Sequence, residues 1–410
     1  MKFFLAFLSI SFILNGVTAA SRPNIVFILA DDYGIDGVGC YGSDRFKGKT
    51  PNIDKLAETG TRFTHCYASP LCGPSRTTLI TGQYVFRTGA VTNQATTTVS
   101  FKNQPSHART LKDAGYVTGM AGKWRQMHDA PSDWGFDDYI TDPTANGYYW
   151  VNSYTKNGEK VETKEKVYYP DVCLDFTKEF LQKNKAKPFY FYFSSHLVHG
   201  PIEKTPDSKP DTKNHYVDDV VYLDKQVGQL VAELERLGIR ENTLIVFSGD
   251  NGTARFGSDY SIINGRKING MKGTVLEGGS RVPLIANWKG TVPAGKVNDD
   301  LIDFTDFYAT YADVAGAKMP KETLDSRSFA PQLKGEKGTP RDWVFVQLGK
   351  KWYVRDRSFK LTESGSLYDM SDAPFVEKAI PNDAVSDAAK AARTRLQAAL
   401  DTLNPGGKPK

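Results

Sequence analysis

Four segments of the chain carry apolar residues in continuous runs: NIVFILA (24–30), YVTGMA (116–121), PFYFYFSS (188–195) and TLIVFSG (243–249). A strand with one wet face alternates, whereas a strand buried on both faces reads as an unbroken run. These four therefore predict the inner strands of a mainly parallel sheet. Helical periods lie between them. PNIDKLAETG (51–60) sets Ile53, Leu56 and Ala57 on one face and stops at a glycine. DDVVYLDKQVGQLVAELERLG (218–238) predicts a longer amphipathic helix, capped by a carboxylate and ended by Gly238. Strands alternating with helices predict a layered α/β domain.

The pattern changes near Lys321. The stretch to Gly338 is rich in Lys, Glu, Gly and Ser and reads as a connector. Beyond it, DWVFVQLG, KWYVRDRSFKLT and SLYDM predict a small antiparallel sheet, followed by a closing helix from about Asp383 to Leu403. The tail NPGGKPK is expected to be disordered. At the other end, Lys2, the run FFLAFLSISFIL and the small residues of VTAA form a secretory-signal pattern with cleavage expected after Ala20. That run falls short of the roughly 20 residues a bilayer span needs. The expected organisation is a signal peptide over 1–20, a catalytic domain over 21–320, and a small C-terminal subdomain with its tail over 321–410. An exported protein, periplasmic or secreted, with no membrane span follows.

Composition adds little to this picture. The chain is 40% apolar and 24% charged, with 52 basic against 47 acidic residues. The small positive excess is mixed along the sequence and does not point to nucleic acid. Four cysteines (Cys40, Cys66, Cys72, Cys173) have neither disulfide-scaffold density nor metal-finger spacing.

Chemistry gathers where the predicted strands end. The first ends in Asp31-Asp32, the second in Gly122-Lys123, the third in His196-Leu-Val-His199, and the fourth in Asp250-Asn251. Ligands of open α/β sheets bind beyond these carboxyl ends. Acid-rich ends supply hard oxygen donors, which suit calcium or magnesium, while a lysine and two histidines suit an anionic substrate and proton transfer. Each motif alone is an ordinary turn; the four together are a candidate site. A fifth element, Leu71-Cys72-Gly73-Pro74-Ser75-Arg76 through Gly82, places Cys72 at a helix N-terminus, where backbone N–H groups favour an anion.

Cys72-x-Pro74-x-Arg76 followed by Thr81-Gly82 resembles the modification motif of type I sulfatases, in the alkaline phosphatase superfamily. RPNIVFILADD, TPNIDKLAETGTRFTHCYA, GYVTGMAGKW, HLVHGP, FSGDNG and MKGTVLEGGSRVPL resemble further blocks of that family, in family order, from Arg22 to about Asp306. KLTESGSLYDM resembles the end of its small C-terminal subdomain. The resemblance implies an alkaline-phosphatase-like α/β fold, a large mainly parallel sheet flanked by helices, with an antiparallel-sheet subdomain. It implies hydrolysis of sulfate esters, with Cys72 oxidised to formylglycine by a formylglycine-generating or anaerobic sulfatase-maturating enzyme. Asp31, Asp32, Asp250 and Asn251, with modified Cys72, match the ligands of one Ca2+ or Mg2+ ion. Arg76, Lys123 and Lys272 match residues that hold the nucleophile and the sulfate. His199 matches the group that protonates the leaving alcohol, and His196 fits a substrate-facing or supporting role.

One position departs from the family. Where the family reads Gly-Lys-Trp-His, this chain reads Gly122-Lys123-Trp124-Arg125. A guanidinium cannot take the proton assigned to that histidine, so Arg125 is expected to touch substrate while His128, Lys123 or water accepts the proton. Phosphonate or phosphate ester hydrolysis is the neighbouring chemistry of the superfamily; its two-zinc members need histidine ligands that the six histidines here do not supply. A pseudo-sulfatase that only binds sulfated glycans is the non-enzymatic alternative. Export favours a sulfated polysaccharide or its oligosaccharides as substrate. The aromatic and lysine-rich stretch Asn146–Val167 reads as an insertion, open either to a sugar or to local packing.

Overall fold

The unbroken apolar runs become neighbours. The computed structural model describes residues 22–124, 127–142, 148–321, 324–381, 383 and 386–407. Its main sheet has ten strands: β1 (Asn24–Ala30), β2 (Thr61–Tyr67), β3 (Val117–Gly122), β4 (Asp138–Thr141), β5 (Trp150–Lys156), β6 (Glu159–Tyr168), β7 (Phe189–Ser194), β8 (Thr243–Gly249), β9 (Arg281–Asn287) and β10 (Lys296–Asp303). They lie in the order β10-β2-β9-β8-β1-β7-β3-β4-β5-β6. The four predicted strands form the contiguous parallel block β8-β1-β7-β3 at the centre, and β4 extends it in parallel. β9 runs antiparallel between β8 and β2, and the β5–β6 hairpin closes the far edge antiparallel.

Successive β1 residues enter opposite cores. Ile25, Phe27 and Leu29 belong to one apolar cluster, Val26, Ile28 and Ala30 to the other. Both faces are covered, which is why the strand does not alternate. On one face lie α1 (Pro51–Glu58), α4 (Tyr169–Asn184) and α5 (His215–Arg236); on the other lie α2 (Cys72–Thr81), α3 (His107–Asp113) and α6 (Asp306–Ala315). A second sheet of five antiparallel strands, β11 (Val344–Leu348), β12 (Lys351–Arg355), β13 (Phe359–Thr362), β14 (Leu367–Asp369) and β15 (Lys378–Ile380), packs under α7 (Asp387–Leu403). Phe345 joins it to the main body by an edge contact with Tyr84, ring centroids 5.0 Å apart.

Several expectations need correction. The stretch read as an insertion is largely the β5–β6 hairpin, its charged alternation (EKVETKEKVY) suiting a solvent-facing edge strand. α5 begins at His215, and its cap is Asn214, whose side chain accepts from the Tyr216 N–H, not a carboxylate. α7 begins at Asp387, after Ser386 as cap. The connector contains a short helix at Ala330–Leu333. The four cysteines are free thiols. Among the described residues, no helix is long and apolar enough to cross a membrane. The expected signal peptide and the end of the tail lie outside the described residues.

Candidate active site

Register assembles the site. Ala30 pairs with Gly249 and Gly122 with Ser194, so β1, β8, β3 and β7 reach one common edge. Hydrogen bonds then tie the loops beyond that edge together. Asp31 N–H donates to Leu197 O and Asp31 O accepts from Val198 N–H, both at 2.8 Å; Asp250 N–H donates to Ala30 O at 3.0 Å. Lys123 N–H donates to Ser194 O at 2.8 Å. Gly122 permits that approach: a Cβ there would lie 1.9 Å from Ser194 O, and its φ is +110°. Asp32 itself has φ +56°, a left-handed conformation that short polar side chains tolerate best.

α2 points its N-terminus into this edge. Cys72 is its first residue, and Gly82, at φ +65°, caps its other end. All ten helix residues are buried, so the helix is anchored from every side. Gly73 N–H is held by Asn93 Oδ1 at 2.9 Å. Arg76, one turn further on, donates from Nε to Asp250 Oδ2 at 2.9 Å and from Nη1 to Ser194 and Tyr192.

Charges of both signs are buried together. Lys123 donates to Asp31, and Lys272 lies 2.6 Å from Asp32 Oδ1. Burial works to raise the Asp31 carboxyl, but Lys123, His199, Arg76 and Lys272 outweigh it and hold it well below the carboxylate range. Burial, with Asp31 alongside, pushes Asp250 up despite Arg76. Burial alone would weaken the lysine charges; Asp31 and Cys72 keep Lys123 high, and Asp32 and Cys72 keep Lys272 high. Burial raises the Cys72 thiol. His199 is lowered by burial against the pull of Asp31.

Two oxygens in this charged cluster lack partners. Asp31 Oδ1 and Asn251 Oδ1 are buried without a hydrogen bond. Single ligand atoms of Asp31, Asp32, Cys72 and His199 all lie within 4.8 Å of one another. Asn251 Nδ2 donates to Asp32 Oδ1 at 2.9 Å, which leaves its carbonyl oxygen for another partner. Buried unpaired oxygens among carboxylates fit a divalent cation of the hard class. This close group brings in His199 and leaves out Asp250, whose Oδ1 accepts from Asp32 N–H at 3.0 Å.

A family model described as Sulfatase matches residues 23–317. The chain belongs to the sulfatase family. This sulfatase is 31% identical to N-acetylgalactosamine-6-sulfatase of Canis lupus familiaris over 365 residues, 80% of this chain and 69% of that one. It is 30% identical to arylsulfatase A of Homo sapiens over 371 residues, 80% and 71% of the two chains. A solved structure of Ps i-CgsB in complex with k-i-k-neocarrahexaose superposes with a TM-score of 0.80 and 28% identity, covering 93% of each chain. The sulfatase is a sulfuric ester hydrolase, and its two-sheet architecture is that of the solved relatives.

The remaining expected residues fall unevenly in the sulfatase. His199 Nε2 lies 3.8 Å from Asp32 Oδ2, its Nδ1 donates to Gly200 O, and its side chain keeps 26% exposure. His196 is buried, lowered by burial, and donates from Nε2 to Asp142 Oδ1 at 2.6 Å, which points it toward support. Arg125 lies outside the described residues. His128 does not join the cluster: its side chain is 60% exposed, and it faces Asp129 Oδ1 at 3.9 Å. The sequence reading missed Tyr148, whose hydroxyl donates to Asp31 Oδ2 at 3.2 Å and whose ring stacks on His199, centroids 5.0 Å apart. It also missed Asn93 and Asp142. The aromatic signal around Tyr148 was legible, but it was left open between a sugar contact and local packing, with no tie to Asp31 or His199.

Proposed function

We propose that this sulfatase cleaves sulfate esters of a sulfated polysaccharide or its oligosaccharides, using Cys72 as formylglycine and one calcium or magnesium ion. The observation that carries the reading is the buried cluster at the α2 N-terminus, where two unpartnered oxygens, the Asp31 and Asp32 carboxylates, Cys72 and His199 converge beside Lys123 and Lys272. Asp31, Asp32 and Asn251, with Asp250 behind them, would hold the cation. Once in place, the cation and the hydrated formylglycine supply Lewis-acid charge and a nucleophilic hydroxyl for sulfuryl transfer.

The chain's own residues do the rest. Arg76 fixes Asp250 and balances the carboxylates from beneath. Lys123 and Lys272 keep their protons and carry charge toward the sulfate oxygens. With Nδ1–H committed to Gly200 O, His199 Nε2 is the atom that faces the departing alcohol, and it passes a proton there from the doubly protonated imidazolium. Tyr148 stacks on that imidazole and sets its plane. His196, pinned by Asp142 and flanked by Tyr148 and Tyr169, keeps the turn that carries His199 in place.

Sulfated-glycan chemistry is supported by the names of the relatives, N-acetylgalactosamine-6-sulfatase and a structure holding a neocarrahexaose. The N-terminal pattern supports export to the periplasm or beyond, and the Cys72 motif supports a maturation enzyme as partner. Mass spectrometry of the Cys72 peptide, on protein made with a maturation enzyme, is expected to show the aldehyde. A desulfation screen over defined sulfated oligosaccharides then names the substrate. Active protein bearing only an unmodified thiol would sink the nucleophile assignment.

A further inference from the structure

The leaving alcohol departs on the side of His199, so the sugar that carries the ester must sit against whatever surrounds that residue. The segment after Asn251 does so. Thr253 O accepts from Lys272 N–H at 3.0 Å, and Thr253 Oγ1 donates to the buried Asp36 at 2.7 Å, which fixes the segment between the two site elements. Three residues on, the Phe256 ring rests over Gly200, the residue bonded to His199. A Cβ at Gly200 would lie 2.7 Å from Phe256 Cε1, so the ring in this position packs directly on the glycine backbone. Tyr216 meets the same ring at 6.0 Å and 66°. Seated on two sides, Phe256 is still 42% exposed, and it is the most open phenylalanine among the described residues.

A ring seated against Gly200, next to His199, and left open to solvent on its other side has the character of a binding platform. Its neighbour Arg255 is also exposed, and no ion pair or side-chain hydrogen bond is found for it among the described residues. A free guanidinium recognises carboxylate or sulfate through paired N–H donors.

We propose that Arg255 and Phe256 form the subsite for the sugar that bears the ester. Phe256 takes the apolar face of the pyranose ring. Arg255 takes a second anionic group, a sulfate or carboxylate, on that ring or the next. This rests on the sulfatase reading with His199 on the leaving-group side, and it narrows the substrate class to multiply anionic saccharides.

Steady-state kinetics on a disaccharide with one sulfate, and on the same disaccharide with two, tests it against inhibition by inorganic sulfate. Phe256→Ala is expected to raise KM roughly tenfold on both, the scale of one lost ring contact, with the inorganic sulfate inhibition constant unchanged. Arg255→Gln should raise KM only on the doubly charged substrate and erase the preference for it. KM values unchanged in both variants would overturn the proposal, as would an equal loss in sulfate inhibition, since that would mean the pair holds the sulfate pocket and not the sugar. Calorimetric binding of the two disaccharides gives a second readout without turnover. An inactive wild type that binds them, and binds them less well as Phe256→Ala, would fault the sulfatase reading but keep the subsite.

Discussion

Asn251 and Lys123 show how much of the chemistry turns on single atoms. The Asn251 carbonyl oxygen is buried and unpaired, a condition that costs on the order of 1–3 kcal/mol unless a partner is supplied. The proposed cation would answer that cost, and only the holo protein would gain from it. Asn251→Ala is therefore expected to lose most bound calcium or magnesium by elemental analysis. Turnover should fall by about a hundredfold or more, while the unfolding midpoint of the metal-free protein is not lowered. Lys123 and His128 are the two side chains named for the proton role that Arg125 cannot fill, but Lys123 keeps its proton and serves as a charge. Lys123 is buried against Asp31 with Cys72 among the groups that raise it, whereas His128 stands in solvent. Lys123→Met should lower kcat roughly a hundred- to a thousandfold, as loss of a preorganised charge does. His128→Ala should stay within about twofold, as exposed substitutions do. A larger fall in kcat for His128→Ala would return it to the mechanism. Most of these residues were legible as strand-end motifs. Tyr148 and Asp142 were not, because nothing local marks a tyrosine that turns back from a sheet edge onto a carboxylate.

At the scale of elements, the sequence spoke where an apolar run was unbroken or kept a clear helical or alternating period. β1, β3, β7 and β8 are apolar throughout because both faces are covered. β9 is nearly as buried, yet Pro283 interrupts it, and the register shifts between Val282 and Leu284 at that point. A proline inside a run argues against a central strand unless a bulge absorbs it, and here one does. β10 and β6 carry charges because they lie at the two edges of the sheet. α4 was not read from the sequence, although Cys173, Phe176, Phe180 and Leu181 recur at helical spacing and are buried. α5 holds the least expected feature, Asp219. It sits on the buried face, and neither carboxylate oxygen has a hydrogen bond. Burial, with Asp218 and Glu203 nearby, pushes its pKa up to about 8. A carboxyl raised on folding stabilises most when protonated in both states. That contribution is present below about pH 4 and is lost as pH climbs toward 8, because the unfolded chain gives up its proton first. Asp219→Asn should thus gain several degrees in unfolding midpoint over the wild type at pH 8 and little at pH 4.5. Parallel pH profiles for the two proteins would remove Asp219 as the cause.

Over the whole molecule, the small C-terminal sheet closes on the segment that carries Lys272. Asn269 N–H donates to Pro374 O at 2.9 Å, Lys360 Nζ donates to Val275 O at 2.7 Å, and Glu277 N–H donates to Glu377 Oε1 at 3.0 Å. Lys360 and Glu377 pair with each other in the interior, and Arg355 of β12 pairs with Glu277, which Arg281 also approaches. Those cations hold the Glu277 carboxyl down at about 2 against the effect of burial. Residues 269–277 contain no regular element of useful length, so this clamp fixes where Lys272 reaches Asp32. With Lys272 in its proposed role, the second sheet is expected to act on catalysis from outside the site. Lys360→Met removes the donor to Val275 O and leaves Glu377 buried without its partner, a change that costs about 3–5 kcal/mol in comparable buried pairs. Turnover should suffer beyond that loss of stability. At a temperature where circular dichroism shows the variant fully folded, kcat/KM is expected to drop at least tenfold. Lys360→Met together with Glu377→Met, which removes both charges, should recover the unfolding midpoint more fully than the activity, because no donor to Val275 O returns. If activity and midpoint recover in step, the clamp is only a support and does not place Lys272.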